Sequence, residues 1–291
     1  MDVIATPRIT REIVHKYGLN IRKSLGQNFL IEPKFIQKII DAAGLDQNKV
    51  VVEIGPGIGA LTQALATHAG YVIAVEIDQG LTRVLKEIFA PVSNVTIVHG
   101  DAMKVNFDQL VAEVPHRQEP PFPYKIVANL PYYITTPMIM RLLEEGFQFS
   151  SLVLMVQREV AQRIMAHPAT KDYGALSIGV QYHCSPSLVS LVPPTVFHPR
   201  PEVDSAIIKL EKREHPAVHV SDERLFFSLV KAAFNQRRKT LLNALSNSGL
   251  LLSKNSWQEV LIESGIDPQR RGETLNLEEF ASLANLLGRK R

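Results

Sequence analysis

Hydrophobic positions fall into two regimes along the chain. From residue 50 to residue 210, short apolar runs alternate with amphipathic stretches; beyond residue 211 only amphipathic stretches remain. The runs Val50–Ile54, Tyr71–Glu76, Val95–His99, Lys125–Ala128 and Ser151–Gln157 are rich in Val and Ile, the pattern of strands buried on both faces. Helices are predicted between or after them at Leu61–His68, Leu81–Phe89, Phe107–Val114, Thr136–Glu145 and Arg158–Ala166, and residues 116–123 form a Pro-rich loop. Ser187–Val192 and Val203–Leu210 predict a strand pair around V-P-P-T-V-F-H-P-R-P. Upstream, Thr6–Tyr17 and Pro33–Ala43 predict helices, the first with Pro7 in its opening turn and the second closed by Gly44. Downstream, Leu225–Phe234, Thr240–Leu245, Trp257–Ser264 and Leu277–Leu287 all carry helical periodicity. Strand–helix alternation predicts an α/β, Rossmann-like domain over residues 1–211, with a mainly parallel sheet and a helical extension at 1–49. Residues 212–291 are predicted to form a small all-helical second domain.

Composition narrows the class. Hydrophobic residues make up 45% and charged residues 21%, which supports a packed globular chain rather than a disordered one. The single Cys184 excludes an internal disulfide and a thiolate metal cluster and suits a reducing compartment. The N-terminal residues lack the layout of a signal peptide, and no apolar run approaches the ~18 residues of a membrane span. A cytoplasmic protein with no membrane partner is expected. Residues 1–49 and 211–291 each carry a net charge of +3, whereas residues 50–210 carry −3. Basic flanks around an acidic middle suit a polyanionic partner outside and a small molecule inside, although a solvated surface would read the same way.

The candidate chemistry begins where Val50–Ile54 runs into G-P-G-I-G-A. Strand, Gly-rich turn and helix form the first unit of a nucleotide-type site. Gly55, Gly57 and Ala60 fit the dinucleotide fingerprint, while Gly55, Gly57 and Gly59 fit the G-x-G-x-G of methyltransferases; a ligand-free turn would also need glycine. Four polar residues close four successive strands: Glu53, Glu76, Asp101 and Asn129. Ligands bind at the carboxyl edge of an open parallel sheet, so these converge on one place. Glu76 stands 21 residues after Gly55, near the ~20 expected of a carboxylate that grips ribose hydroxyls. A pyrophosphate tolerates a carboxylate-lined cleft poorly, whereas a sulfonium and an ammonium suit one, which favours S-adenosylmethionine over NAD.

Asn129-Leu130-Pro131-Tyr132 supplies the reaction. The exocyclic amine of adenine is a weak nucleophile because its lone pair is delocalised into the ring. Acceptors on both of its hydrogens, here the Asn129 side-chain oxygen and the Leu130 carbonyl, draw it toward a tetrahedral, nucleophilic form. Tyr132 offers a ring on which an extruded base can stack.

Together E-I-G-P-G-I-G-A-L-T, V-E-I-D, H-G-D-A, A-N-L-P-Y-Y-I, L-G-Q-N-F-L and V-F-H-P-R-P-E-V-D-S resemble the ribosomal RNA adenine N6-dimethyltransferases. Their order and spacing resemble the bacterial small-subunit branch, over about Ser24 to Leu210 and with a fitting helical tail. The resemblance implies a seven-stranded methyltransferase sheet, S-adenosylmethionine as cofactor without a metal, and dimethylation of two adjacent adenines. Those adenines lie in a hairpin loop near the 3′ end of 16S rRNA, within the 30S particle or its precursor, and the chain is expected to act as a monomer in small-subunit biogenesis. Carried over by motif, Asn28 and Leu30 border the methionine end of the cofactor. Gly55 lets the backbone approach it, Glu76 holds the ribose, Asp101 contacts the adenine, and Asn129 faces both cofactor and target. Phe197 resembles the family aromatic that packs on the target base, and Arg200 is a candidate phosphate contact.

Other chemistries find little support. His215 and His219 have helical metal spacing without further ligands, and neither H-E-x-x-H nor G-x-S-x-G occurs. Arg237, Arg238 and Lys239, opening a helix, are candidate RNA phosphate contacts. Rival readings are the Erm-type 23S rRNA adenine methyltransferase, which shares the motifs, a non-catalytic RNA-binding assembly factor on the same fold, and an NAD oxidoreductase.

Overall fold

The computed structural model describes residues 2–19, 26–115, 123–250 and 252–290. Part of the L-G-Q-N-F-L stretch, through Leu25, and the Pro-rich segment up to residue 122 lie outside the described residues. In chain order the elements are α1 (Pro7–Lys16), β1 (Phe29–Leu30), α2 (Pro33–Ala43), β2 (Val50–Ile54), α3 (Ala60–His68), β3 (Tyr71–Glu76) and α4 (Gln79–Ile88). There follow β4 (Val95–His99), α5 (Phe107–Ala112), β5 (Tyr124–Asn129), α6 (Thr135–Glu144), β6 (Phe149–Gln157), α7 (Arg158–Met165) and α8 (Ala175–His183). β7 (Cys184–Val192), β8 (Phe197–His198) and β9 (Ser205–Lys212) complete the strands, and α9 (Glu223–Asn235), α10 (Leu241–Ser246), α11 (Lys254–Glu263) and α12 (Leu277–Arg289) complete the helices.

Seven strands form one sheet in the order β4-β3-β2-β5-β6-β9-β7. β4, β3, β2, β5 and β6 run parallel, and β9 is antiparallel to β6. Every residue of β2 is buried, which explains why its sequence shows no polar alternation. Helix starts follow local chemistry: Asp78 accepts from the Leu81 amide at the head of α4, and Asn106 from the Gln109 amide at the head of α5. Two short strands missed by the sequence pattern, β1 and β8, pair antiparallel with Leu30 opposite Phe197.

The chain divides into two compact units, Met1–Ala161 with Pro186–Lys212, and Gln162–Ser185 with Arg213–Arg291. The sequence pattern predicts a single cut near residue 211. The difference lies in α8, which no amphipathic period announces because Leu176, Ser177, Ile178, Gly179, Val180 and Tyr182 are all buried. Its Tyr182 ring stacks on Phe226 of α9 at 5.1 Å, and Tyr173, Ile178 and Tyr182 share a core with Leu229, Trp257 and Phe280. Burial of that apolar surface draws residues 162–185 into the helical unit. Among the described residues no helix is long and apolar enough to cross a membrane.

Candidate cofactor and substrate cavity

A cavity opens in the first unit at the carboxyl ends of the parallel strands. Gly55, Glu76, Asp101, Asn129, Leu130 and Tyr132 line it, as do Asn28 and Leu30 from the segment around β1. Strand register brings these together: Ile54 lies opposite both Val75 and Ala128, and Asn129 lies opposite Met155. The strand ends also knit to their loops, with the Gly55 amide donating to the Val75 carbonyl at 3.0 Å and Gly100 to Glu76 at 2.9 Å.

Two glycines shape the floor. Gly55 has φ 69°, and no atom lies within 4 Å of the place a Cβ would take, so its bare backbone faces open space at the cavity. At Gly57, φ 59°, a Cβ would meet the Phe29 ring at 3.0 Å. Its amide is thereby free to approach the Glu76 carboxylate, to which it donates at 3.3 Å.

The acids are held by different partners. Glu76 is 5% exposed, and its other oxygen accepts from the Asp78 amide at 2.8 Å. Burial raises its pKa, and the two amides oppose the shift. Glu53 is 1% exposed and accepts from the Thr62 hydroxyl at 2.5 Å. Burial pushes it up to about 8, against the pull of the Thr62 hydrogen bond, with the Glu76 charge adding to the rise. Glu53 therefore keeps its proton to a higher pH than an ordinary carboxyl, so the acidity that the sequence suggested is weaker than three carboxylates would make it. Asp101 accepts from the Met103 amide at 2.9 Å and lies 3.7 Å from the Lys104 ammonium.

Asn129 is oriented by a carbonyl. Its Nδ2 donates to the main-chain oxygen of Asn28 at 2.9 Å. A carbonyl can only accept, so the amide nitrogen must face Asn28, and the side-chain oxygen faces the other way. Among the described residues no hydrogen bond takes that oxygen, nor the Leu130 carbonyl. The Leu130 amide donates to Met155 at 3.2 Å and anchors the turn to β6. Tyr132 shares a 2.8 Å hydrogen bond with the Ser205 hydroxyl, and burial raises its pKa.

Three sequence-predicted sites fall elsewhere. Phe197 is 4% exposed, is paired with Leu30 in the small ladder, sits in the core and does not line the cavity. Arg200 is exposed and likewise outside the lining. In the helical unit the Arg237 guanidinium is occupied by Glu273 at 2.5 Å and by the carbonyls of Lys171 and Thr170, so it serves the fold; Arg238 and Lys239 are exposed. Several cavity residues escaped sequence reasoning, among them two exposed apolar side chains. Tyr133, 57% exposed, stands on the lining next to Tyr132, and the doubled aromatic of P-Y-Y was its signal. Ile77, 49% exposed, also lines the cavity; an apolar residue directly after the strand-ending Glu76 could have marked it.

The model of the family described as "Ribosomal RNA adenine dimethylase" matches residues 18–288. A curated relative from Moorella thermoacetica, named ribosomal RNA small subunit methyltransferase A, is 55% identical and covers 99% of each chain. The crystal structure of a dimethyladenosine transferase from Plasmodium falciparum aligns with TM-score 0.75 at 27% identity, covering 90% of this chain and 98% of that one. The structure of the 23S rRNA methyltransferase ErmE aligns with TM-score 0.66 at 26% identity, covering 90% and 100%. With nearly its full length matched by the family model and by a close relative, and with the expected methyltransferase sheet, this chain belongs to the ribosomal RNA adenine dimethylase family.

Proposed function

We propose that the protein dimethylates N6 of two adjacent adenosines in the hairpin near the 3′ end of 16S rRNA, within the 30S particle or its precursor, using S-adenosylmethionine. The observation that carries this reading is the fixed amide of Asn129, a residue of the cavity lining whose side-chain oxygen takes no hydrogen bond among the described residues. The residues fit the cofactor: the open space over Gly55 admits its backbone-hugging chain, and the Glu76 carboxylate can accept from ribose hydroxyls. Asp101 could accept from the adenine amine, and Asn28 and Leu30, on the lining, would border the methionine end. Bound there, S-adenosylmethionine would supply an electrophilic methyl group on its sulfonium.

The chain's own residues prepare the nucleophile. In the first transfer the Asn129 oxygen and the Leu130 carbonyl each accept a hydrogen bond from the target amine and favour its tetrahedral form; in the second, one N–H remains for one of them, and each time the alkylated nitrogen sheds a proton to solvent. These bonds strengthen as the nitrogen becomes positive, so they lower the barrier more than they tighten ground-state binding. Tyr132, tethered through Ser205, presents a ring for the extruded base. The basic helical unit supports RNA binding through phosphates, and the reading extends to a cytoplasmic, monomeric factor in small-subunit biogenesis.

The similarity to ErmE keeps 23S rRNA as the competing substrate, while the much closer small-subunit relative favours 16S rRNA. Radiolabelled methyl transfer to immature 30S particles, with mapping of the product, decides. Label on the paired adenosines of the 16S hairpin is the expected result. Label on 23S rRNA would move the chain to the Erm reading, and absence of transfer to either RNA would leave a binding factor.

A further inference from the structure

Arg141 takes no part in the methyl-transfer step, yet it is densely engaged beside the cavity. It projects from α6, the helix that follows the Asn129–Ile134 segment directly, and its side chain is only 9% exposed. Nε and Nη2 donate to the two Glu145 oxygens at 2.9 Å each. Nη1 donates to the Ala102 carbonyl and Nη2 to the Val105 carbonyl, the latter at 2.9 Å. The guanidinium lies 5.5 Å from the Phe107 ring centre and 5.2 Å from that of Phe147. Those two rings meet edge to face at 5.2 Å.

Both carbonyls belong to the short loop between β4 and α5. Asp101 stands second in that loop; its carbonyl accepts from the Lys104 and Val105 amides, and its carboxylate accepts from the Met103 amide. Ala102 and Val105 thus bracket the turn that presents Asp101 to the cavity, and Arg141 grips the turn at both points. A planar fork of five donors can meet two carbonyls and a carboxylate at once, which an ammonium cannot do with the same geometry.

We propose that Arg141 is a positioning residue for the cofactor's adenine subsite. It fixes the Asp101 loop and ties it to the helix that leads out of the methyl-transfer turn. The proposal rests on the reading of Asp101 as the acceptor for the adenine amine. Its consequence is selectivity. A loop held in register should distinguish an adenine amine from a carbonyl at the same ring position, and a loosened loop should not.

The test is calorimetric binding of S-adenosylhomocysteine and its deaminated analogue, S-inosylhomocysteine, to the wild-type chain and to Arg141→Lys and Arg141→Met. The wild type should prefer the adenosyl compound by about tenfold or more, the scale of one charge-assisted hydrogen bond. Both variants should lose most of that preference through weaker adenosyl binding, while affinity for the inosyl compound stays within about twofold. Arg141→Lys keeps the charge and decides the matter alone if thermal melting shows that Arg141→Met does not fold. A preference retained in full by the lysine variant would overturn the role of Arg141 while leaving Asp101 in place. Equal weakening of both ligands would also overturn it, reducing Arg141 to a merely structural clamp. No preference in the wild type would overturn the Asp101 assignment and the Arg141 proposal with it, an outcome distinct from the other two.

Discussion

The two compact units use charge in opposite ways. In the first, acids gather at the strand ends, each against a defined donor: Glu53 and Glu76 are buried, on Thr62 and on the Gly57 and Asp78 amides, and the partly exposed Asp101 rests on the Met103 amide. In the helical unit the basic residues of the R-R-K run lie at the surface, and Arg237 is consumed by Glu273 and neighbouring carbonyls. A buried carboxylate costs several kcal/mol unless it is paired, so its presence in a strand end signals a task. An exposed lysine or arginine costs almost nothing, so a run of them signals little. Like charges therefore carry very different weight in the two regions: acids spaced along the chain and gathered at one sheet edge point to a site more strongly than a contiguous, exposed basic run does.

The largest effect that would break this contrast belongs to Asn129. Asn129→Ala should lower the single-turnover methyl-transfer rate by about 10²–10³, the cost of one positioned group that acts mainly in the transition state. RNA affinity should change little. Rapid-quench kinetics at saturating cofactor and RNA provide the measurement, and a near-normal rate would make the N-L-P-Y turn purely structural.

Next in size is a pH effect from Glu53. Its pKa stands at about 8, chiefly through burial. A cationic cofactor nearby favours the ionised form, so binding should release a proton. Cofactor affinity should then rise with pH up to about 8 and level off above it, by at most about tenfold per unit. Calorimetry in buffers of different ionisation heat counts that proton. In Glu53→Gln the slope should vanish. Affinity that is flat between roughly pH 6 and pH 9 in the wild type would show that Glu53 stays neutral beside the cofactor.

The smallest effect tests the helical unit. Replacing Arg238 and Lys239 with Ala should reduce the salt slope of RNA binding by up to about one unit for each phosphate no longer neutralised. Arg237→Ala should leave that slope alone and instead cost stability, under about 1 kcal/mol for its partly exposed ion pair. If Arg237→Ala flattened the slope and the double variant did not, the distinction between occupied and available cations would be wrong.

Much of this was legible in the sequence because it is local. Val- and Ile-rich runs announced the central strands, since a strand buried on both faces must be apolar throughout. Gly55, Glu76, Asp101 and Asn129 were identifiable as residues of one cavity because each stands at or just past the end of such a run, and a parallel sheet brings all those ends to one edge. Other features depend on partners far away in the chain. Helix α8 is buried nearly all round and so shows no period to read. Phe197 became a core residue through a ladder with Leu30, and Arg237 was tied down by Glu273, neither of which its neighbours in sequence foretell. Asn129 was visible as a residue, but the direction of its amide was set by the carbonyl of Asn28, which the strand register does not touch. Sequence alone thus determined most of the elements and which residues stand at their ends, because periodicity and turn residues act over a few positions. Which polar groups are free to act was decided by the tertiary structure, because hydrogen bonds and ion pairs are satisfied by whatever the fold brings within about 3 Å.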